Sequence, residues 1–303
     1  MKCLVTGGAG FIGSNLSLEL ENQGHEVIVA DNFLTGNKDN LNGFKGKIIE
    51  LDVSNPFDLD ENFDAIFHEA AITDPRYPND IETYNKNVNS FSNVLQIAEK
   101  SNAKLVYAST ASLYGNGPVP MKEGQQKELI SAYAKSKLRM DEISATLFEQ
   151  MHIVGLRYFN VFGPREKYKG RAASMIYHLG KQMKSGNNPR IFKFGEQIRD
   201  HIYVKDAVSA TIKALGAKSG IYNVGTGIGT TFNDLIKILN EVLGKNFEPE
   251  YFDMPYDPKT YQSNTQADTK KTEEFLGFKH EWELKKGIKG YFIWLDENGW
   301  ENE

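Results

Sequence analysis

The sequence predicts an α/β protein built on a doubly wound parallel sheet, with a smaller, discontinuous C-terminal substrate domain. Up to Gly163, short apolar runs alternate with segments of helical apolar spacing, which is typical of repeated βαβ units. A glycine-rich segment joins the first apolar run to the first helical segment, and an aspartate ends the next apolar run. The chain has 303 residues, of which 40% are hydrophobic, so it can bury a substantial core.

The N-terminal half supplies most of the expected strands. Lys2–Thr6 is an apolar run that predicts the first strand, and Phe11–Asn22 has helical apolar spacing before Gly24 ends it. The other elements predicted in this half are strands at 26–30, 47–51, 64–67, 104–109 and 152–157, and helices at 81–100 and 132–150.

The pattern becomes irregular beyond Gly163-Pro164. Helices are predicted at 174–184, 204–215, 232–243 and 284–295, and a short strand at 220–224 that could add to the main sheet. The rest of this half is expected to form the smaller domain from discontinuous pieces.

Composition and charge exclude several classes of function. With 35 Lys and Arg against 40 Asp and Glu, the net charge is −5, and without basic runs we expect neither nucleic acid nor an anionic membrane as partner. Cys3 is the only cysteine, which excludes disulfides within the chain and a cysteine-based zinc site. The six histidines show no metal-ligand spacing, so we predict no metal. No apolar run approaches the roughly 18–20 residues of a membrane span, and the N-terminal apolar run stops at Val5, unlike a signal peptide, so a cytoplasmic location is expected.

A glycine-rich loop lies between the first strand and the first helix. Residues 6–13 read Thr-Gly-Gly-Ala-Gly-Phe-Ile-Gly; Gly8, Gly10 and Gly13 satisfy G-x-G-x-x-G, and Gly7 gives a variant of it. This chemistry needs glycine because the backbone must turn tightly and approach a pyrophosphate at the helix N-terminus. We predict a Rossmann-type dinucleotide site for NAD(P); the alternative is an ordinary turn.

Two residues bear on which dinucleotide binds. Asp31 ends the second predicted strand and can bond a ribose diol, which favours NAD. Lys38 lies close enough in sequence to meet the 2′-phosphate of NADP, the alternative being a solvated loop lysine. The residues therefore leave NAD and NADP both open.

A tyrosine and a lysine stand four apart on a predicted helix, at Tyr133 and Lys137. A cationic neighbour and a bound nicotinamide cation both stabilise a phenolate, so the tyrosine could act as acid or base near neutral pH. A chain of this composition contains roughly one such pair by chance, and a second one, Tyr177 with Lys181, does occur. The second pair is interpreted as two neighbours on a helix face.

Position distinguishes the first pair. Tyr133 opens the helix after the predicted strand whose carboxyl end carries Ser109, Thr110 and Ser112. Ligands of doubly wound sheets bind at the carboxyl ends of the strands, so these hydroxyls and the phenol can meet there.

Four segments, TGGAGFIG, YASTASLYG, YAKSK and RYFNVFGPR, together resemble the extended short-chain dehydrogenase/reductase family of nucleotide-sugar-modifying enzymes. The resemblance implies that Thr110 bonds the substrate hydroxyl, Tyr133 is the acid/base and Lys137 holds the nicotinamide ribose. Asn87 would steady the active site from the preceding helix, or else be a capping or turn residue. The implied cofactor contacts are Gly7, Gly10, Phe11, Ile12, Gly13, Asp31, Asn32, Lys38, Asp52, Val53, Glu69, Ala70, Ala71, Asn87, Tyr133, Lys137 and Val161.

The resemblance also divides the chain. Residues 1–165 plus about 200–229 would form the dinucleotide-binding domain, and about 166–199 plus 230–303 the nucleotide-sugar-binding domain. The resemblance implies a tightly bound NAD(P) cofactor. The resemblance itself favours NADP, whereas Asp31 favours NAD.

The family contains epimerases, dehydratases and reductases, so the fold alone does not name a reaction. Its dehydratases carry an Asp-Glu pair directly after the threonine, where this chain has Ala111-Ser112, which argues against dehydration. The segments FHEAA, KG at 169–170, RD at 199–200 and YQSNTQAD resemble the ADP-L-glycero-D-manno-heptose 6-epimerases within the family. The alternatives are a UDP- or GDP-hexose 4-epimerase and a non-catalytic NAD(P)-binding protein, the latter disfavoured by Tyr133 and Lys137.

The same resemblance implies that Lys169 is a second acid/base on the sugar face opposite Tyr133; the alternative is an exposed loop lysine. Arg199 would bind a diphosphate bidentately, or form a surface ion pair with Asp200 or a neighbouring residue. The implied substrate contacts are Thr110, Asn160, Arg171, His178, Arg199 and Tyr261.

Two of these contacts and the assembly state stay open. Arg171 stands where the family usually has a small hydroxyl residue, so the role of Arg171 and the identity of the bound sugar both stay open. His178 lies on an apolar helix face and could equally be a core histidine. The apolar faces of the helices at 81–100 and 132–150 resemble the family's subunit interface, so a homo-oligomer is expected, although burial within the monomer would explain them equally well.

Overall fold

The computed structural model describes residues 1–74, 77–255, 257 and 261–300. Its largest element is a parallel sheet of seven strands, which confirms the predicted fold class. The strands are β1 (Lys2–Thr6), β2 (Glu26–Asp31), β3 (Lys47–Glu50), β4 (Ala65–His68), β5 (Lys104–Thr110), β6 (Ile153–Tyr158) and β10 (Gly220–Val224). They lie in the order β10-β6-β5-β4-β1-β2-β3, so the strand predicted at 220–224 does join the main sheet.

Helices cover both faces of this sheet. One face carries α1 (Phe11–Asn22) and α5 (Val204–Lys213), and the other carries α2 (Asp80–Ser101) and α3 (Ala132–Ala145). Successive residues of a strand point to opposite faces, so Cys3 and Val5 pack under α1 while Leu4 packs under α2. The strands are therefore near-continuous apolar runs, because both of their faces are buried.

The helix predicted at 132–150 is too long, since α3 ends at Ala145. The chain continues in tight turns, in which the N–H of Thr146 bonds the carbonyl of Ile143, three residues back. The Thr146 hydroxyl donates to the same carbonyl at 2.7 Å, and a hydroxyl bonding the local backbone competes with the helical pattern. The apolar residues that follow therefore mark a packed turn.

The rest of the chain forms two small sheets and four helices among the described residues. The sheets pair β11 (Gly229–Thr231), β9 (Ile198–Tyr203) and β7 (Asn160–Phe162) in that order, and β12 (Glu250–Phe252) with β8 (Arg190–Phe192). The helices are α4 (Met175–Lys184), α6 (Phe232–Leu243), α7 (Lys270–Leu276) and α8 (Leu284–Asn298).

The sequence missed α7 and the five strands of the small sheets. Four of these strands have three residues, too few to show a period of two, and β9 is polar because it carries Arg199, Asp200 and His201. The domain boundaries stay a prediction. Within the described part of the chain, no helix is long and apolar enough to cross a membrane.

Candidate active site

The glycine-rich loop is packed so closely that side chains are excluded. A Cβ on Gly7 would lie 2.6 Å from the backbone nitrogen of Ala70, and one on Gly13 would lie 2.2 Å from the carbonyl oxygen of Gly7. Gly10 precedes α1 without a side-chain cap, and the first turn of the helix holds no acidic residue. The N–H groups at this helix end are therefore available to an anion, which fits the pyrophosphate of a dinucleotide.

Asp31 holds the loop in place from the end of β2. Its carboxylate accepts hydrogen bonds from the N–H of Ala9 at 2.9 Å and from that of Phe33 at 2.8 Å. Burial raises the pKa of this carboxyl, and the backbone bonds oppose that rise. Asn32 and Lys38 are exposed, and the Lys38 ammonium lies 5.1 Å from the centre of the Phe33 ring.

The other predicted cofactor residues follow the carboxyl edge of the main sheet. Asp52 and Val53 come just after β3, and the Asp52 carboxylate accepts from the hydroxyl of Ser54 at 2.6 Å. Glu69, Ala70 and Ala71 come directly after β4, and Phe11 and Ile12 open α1, whereas Val161 lies in β7.

Tyr133 and Lys137 face the end of β5. The Lys137 ammonium is fully buried, donates to the carbonyl of Ala108 at 2.7 Å and lies 5.9 Å from the centre of the Tyr133 ring. Burial raises the pKa of Tyr133 to about 12, opposed by a hydrogen bond with Thr110. Burial also lowers the pKa of Lys137 to about 8. The fold thus brings the predicted phenol, ammonium and hydroxyl together.

Glu69 adds a titratable group to this cluster. Its carboxyl accepts a hydrogen bond from the Tyr158 hydroxyl at 3.0 Å and interacts electrostatically with Lys137 and Tyr133. Burial raises the pKa of Glu69 to about 7. The resemblance implied only a cofactor contact here; the sequence signal for a perturbed carboxyl was a glutamate directly after an apolar strand that ends at the binding edge.

Asn87 links three segments around the site. Its side chain accepts from the N–H of Ile72 at 2.8 Å and donates to the carbonyl of Ile72 and to the Ser136 hydroxyl. The capping residue of α2 is Asn79, so Asn87 does not cap that helix. Asn87 therefore joins the segment after β4 to Ser136, the residue before Lys137, and these bonds hold the two segments together.

Lys169 approaches from the other face of the sheet. It lies half-buried in the irregular segment 163–172, and its ammonium is 5.5 Å from the centre of the Phe11 ring, at the start of α1. Burial lowers the pKa of Lys169, opposed by the carboxylates of Glu166 and Asp74. Lys169 is therefore half-buried rather than exposed, and its role stays a prediction.

Arg199 and Tyr261 lie together. The Arg199 guanidinium is 5.1 Å from the centre of the Tyr261 ring and donates to the carbonyls of Ile198, Gln262 and Ser263. The alternative of an ion pair with Asp200 is wrong, because neighbouring strand residues face opposite sides and the Asp200 carboxylate accepts from Thr226, Gly227 and Ala267 instead.

The remaining predicted substrate residues have protein contacts. The Asn160 side-chain oxygen accepts from the Thr265 hydroxyl at 2.9 Å. Arg171 is exposed and its Nε lies 2.6 Å from the Asp74 carboxylate. His178 is half-buried, so it is not a fully enclosed core histidine.

The second tyrosine–lysine pair is elsewhere. Tyr177 is buried in α4, and its hydroxyl donates to the carbonyl of Trp300 near the end of the chain. The interpretation of Tyr177 and Lys181 as two neighbours on a helix face stays a prediction.

Comparison with known proteins gives a consistent picture. The model of the NAD dependent epimerase/dehydratase family matches residues 3–225. The chain is 37% identical to the ADP-L-glycero-D-manno-heptose-6-epimerase of Brachyspira hyodysenteriae, covering 98% of both chains. It is 35% identical to a putative UDP-glucose 4-epimerase of Methanocaldococcus jannaschii, covering 97% of this chain and 98% of that one. The crystal structure of Helicobacter pylori ADP-L-glycero-D-manno-heptose-6-epimerase superposes with a TM-score of 0.90 at 38% identity, covering 96% of this chain and 95% of that one.

Proposed function

Because the chain belongs to the NAD-dependent epimerase/dehydratase family and is a nucleotide-sugar epimerase, we propose that it inverts carbon 6 of ADP-glycero-manno-heptose. The two similarities to ADP-heptose 6-epimerases extend over nearly the whole chain, including the Lys169 segment and the YQSNTQAD segment. They support this substrate over others in the family.

The reaction needs proton transfer at the hydroxyl of a carbinol. The hydrogen on the carbinol carbon leaves from one face as hydride and returns to the other face. A bound nicotinamide supplies reversible hydride acceptance, so the reaction has no net redox change. Tyr133 takes the hydroxyl proton as the carbinol becomes a ketone, and Thr110 orients that hydroxyl. Lys137 stabilises the tyrosinate, because its ammonium is the nearest cation on the same helix.

The position of Lys169 is the observation that carries the proposal. Phe11 opens a helix on one face of the main sheet and α3 covers the other, so Lys169 and Tyr133 reach the carboxyl edge from opposite sides. As a sugar ketone lying between them is reduced again, its oxygen can take a proton from either side. Lys169 is therefore assigned as the second acid/base.

We assign NADP as the cofactor. The Asp31 carboxylate already bonds two backbone N–H groups, whereas the exposed Lys38 ammonium is free to approach a 2′-phosphate. Tighter binding of NADP than NAD, lost in Lys38→Ala, is the expected result of calorimetric titration; equal affinities would contradict the assignment.

A cytoplasmic homo-oligomer is proposed as the working form. Part of the apolar surface of α2 is uncovered in the monomer, since Ile81 is 74% exposed. Sedimentation of the purified protein at several concentrations measures the stoichiometry, and a monomer throughout would contradict the oligomer.

A panel of nucleotide-sugars tests the substrate. ADP-heptose should be converted to its carbon-6 epimer in proton NMR without net change in cofactor absorbance, and should raise the melting temperature, because a ligand that binds only the folded state stabilises it. The alternative, 4-epimerisation of a UDP- or GDP-hexose, is supported by the similarity to the Methanocaldococcus jannaschii protein. Protection and turnover by UDP- or GDP-sugars alone would establish that alternative.

Lys169→Met tests the second acid/base. Turnover should fall by about 100-fold or more, as for loss of a general acid or base, while ADP-heptose still protects against heating. Lys135→Met, a matched change at an exposed position of α3, should leave turnover unchanged. Full activity in Lys169→Met would contradict the assignment.

A further inference from the structure

The segment 163–172, which carries Lys169, is bonded to the cofactor-binding half of the chain. The Asn15 side chain donates to the carbonyl of Pro164 at 3.0 Å. The Arg165 Nε donates to the carbonyl of Asn40 at 2.9 Å, and the Tyr168 hydroxyl donates to the Asp39 carboxylate at 3.0 Å. Two of these three bonds end on consecutive residues of one short turn.

That turn is the 3₁₀ helix Lys38–Leu41, which follows β2. Its first residue is the lysine assigned to the 2′-phosphate, and the next two are the partners of the Lys169 segment. The turn is fastened to the glycine-rich loop, because the N–H of Asn37 and the Asn40 side chain both donate to the carbonyl of Ala9 at 3.0 Å. A ligand at Lys38 therefore acts on a turn that is bonded both to the glycine-rich loop and to the Lys169 segment.

The Lys169 segment is also closed on itself. The carboxylate of Glu166, fully buried, accepts from the N–H of Gly163 at one end and from the N–H and hydroxyl of Ser174 at the other. Because one side chain ties both ends, a shift of Arg165 and Tyr168 displaces the segment as a unit. Lys169 directly follows Tyr168 and moves with it.

We propose that the Lys38–Leu41 turn couples the adenosine end of the cofactor to Lys169, with Arg165 and Tyr168 as the positioning residues. Occupation of Lys38 by a 2′-phosphate orders the turn, and the bonds to Arg165 and Tyr168 pass that order to the Lys169 ammonium. Coupling between two ligand sites is a reciprocal free energy, so a sugar held at Lys169 also tightens binding at Lys38. The inference rests on the proposed function for the roles of Lys38 and Lys169.

Lysine labelling tests the coupling without turnover. The protein is treated with an amine-acylating reagent alone, with adenosine 5′-monophosphate, and with adenosine 2′,5′-bisphosphate, and Lys169 modification is followed by mass spectrometry. The bisphosphate should change the Lys169 rate by about fivefold, at the low end of typical site-to-site coupling, and the monophosphate by much less. Exposed lysines of α3 and α8 in the same digest are the internal reference.

Two variants locate the path. Tyr168→Phe removes the bond to Asp39, and Arg165→Lys keeps the charge but removes the Nε–H that donates to the carbonyl of Asn40. In both, the bisphosphate should still bind by calorimetry but its effect on Lys169 labelling should fall below twofold. Tyr222→Phe, which removes a tyrosine hydroxyl bonded to the carbonyl of Lys218 at the amino end of β10, should respond like the parent protein.

The outcomes separate this inference from the proposed function. A bisphosphate that binds the parent protein without altering Lys169 labelling overturns the coupling, as does an unchanged response in both variants. Full turnover in Lys169→Met overturns the catalytic role instead, and the labelling response would remain measurable in the parent protein.

Discussion

The two groups assigned to proton transfer are held by different kinds of structure. Tyr133 lies in the first turn of α3, a regular helix that packs on the main sheet. Lys169 lies in an irregular segment with left-handed backbone at Arg165 and Gly170. One group is positioned by secondary structure, and the other by side-chain bonds to distant parts of the chain.

A buried ion pair strengthens the first arrangement. The Asp141 carboxylate, one turn after Lys137, accepts from the Tyr107 hydroxyl at 2.9 Å and from the Arg157 guanidinium at 2.8 Å. These partners belong to β5 and β6, so α3 is fixed to two central strands. The Lys169 segment has its carboxylate anchor, Glu166, within itself. Tyr133 is therefore anchored to the main sheet through α3, whereas Lys169 is anchored to the turn that follows β2.

Removing the phenol should have the largest effect. Tyr133→Phe is expected to lower kcat by about 10²–10⁴-fold, the usual contribution of a general acid or base, with substrate protection against heating retained. Tyr177→Phe is the matched control, because it removes the hydroxyl of the other Tyr-x-x-x-Lys pair, which bonds Trp300. Equal turnover in the two variants would remove the distinction between these tyrosines.

Overfilling the glycine-rich loop should come next. In Gly13→Ala the new Cβ meets the backbone carbonyl of Gly7 at 2.2 Å, and a backbone atom cannot rotate away. The free energy of unfolding should fall by about 3 kcal/mol, at the upper end for overpacking, and cofactor binding should be lost by calorimetry. Gly124→Ala has open space at its Cβ and should change the unfolding free energy by less than about 0.5 kcal/mol. Cofactor affinity unchanged in Gly13→Ala would contradict the close packing.

The features that could be predicted from the sequence lie on regular elements, as Tyr133 does, whereas those that could not depend, like the Lys169 side, on contacts between distant residues. The bounds of β1 and α1, the glycine-rich loop and the Tyr133 helix start were all readable, because each is a local pattern on a regular element. The contacts of the Lys169 side join residues far apart in the chain: the Tyr168–Asp39 bond spans 129 positions. No local periodicity encodes such a pair, since it depends on how the whole fold places the segment after β7 beside the turn after β2. The contacts of Arg199 with the carbonyls of Gln262 and Ser263 were unpredictable for the same reason.

The buried ammonium of Lys137 should make stability depend on pH. Its folded pKa is lowered to about 8 from the ordinary 10.5, so between those values the unfolded chain binds more protons than the folded one. The stability of the parent protein relative to Lys137→Met should therefore rise as pH increases from 8 to 10.5, by up to about 3 kcal/mol.

Urea unfolding of both proteins across that range measures the difference. Lys127, whose pKa is also lowered to about 8 by burial, is present in both proteins and cancels. A stability difference that stays constant from pH 8 to 10.5 would mean that Lys137 is not desolvated in the folded protein.

The smallest expected effect concerns the backbone beside Lys169. Gly170 has φ 55° and ψ −128°, a conformation that L-residues rarely adopt, yet a Cβ there would meet nothing within 4 Å. Gly170→Ala should therefore cost about 1–2 kcal/mol of stability through backbone strain alone. Because relaxing that strain displaces the segment, turnover should fall.

Gly186→Ala is the control that makes this variant decisive for the comparison. Gly186 has φ 83° and equally open space, so it carries a similar strain, but it follows α4 away from the site. Both variants should lose similar stability in urea unfolding, and only Gly170→Ala should lose turnover. If both retain full turnover, the placement of the Lys169 segment does not limit catalysis. If Gly170→Ala also loses cofactor affinity, the displacement has passed through the Lys38–Leu41 turn to the cofactor side, as reciprocal coupling of the two sites requires.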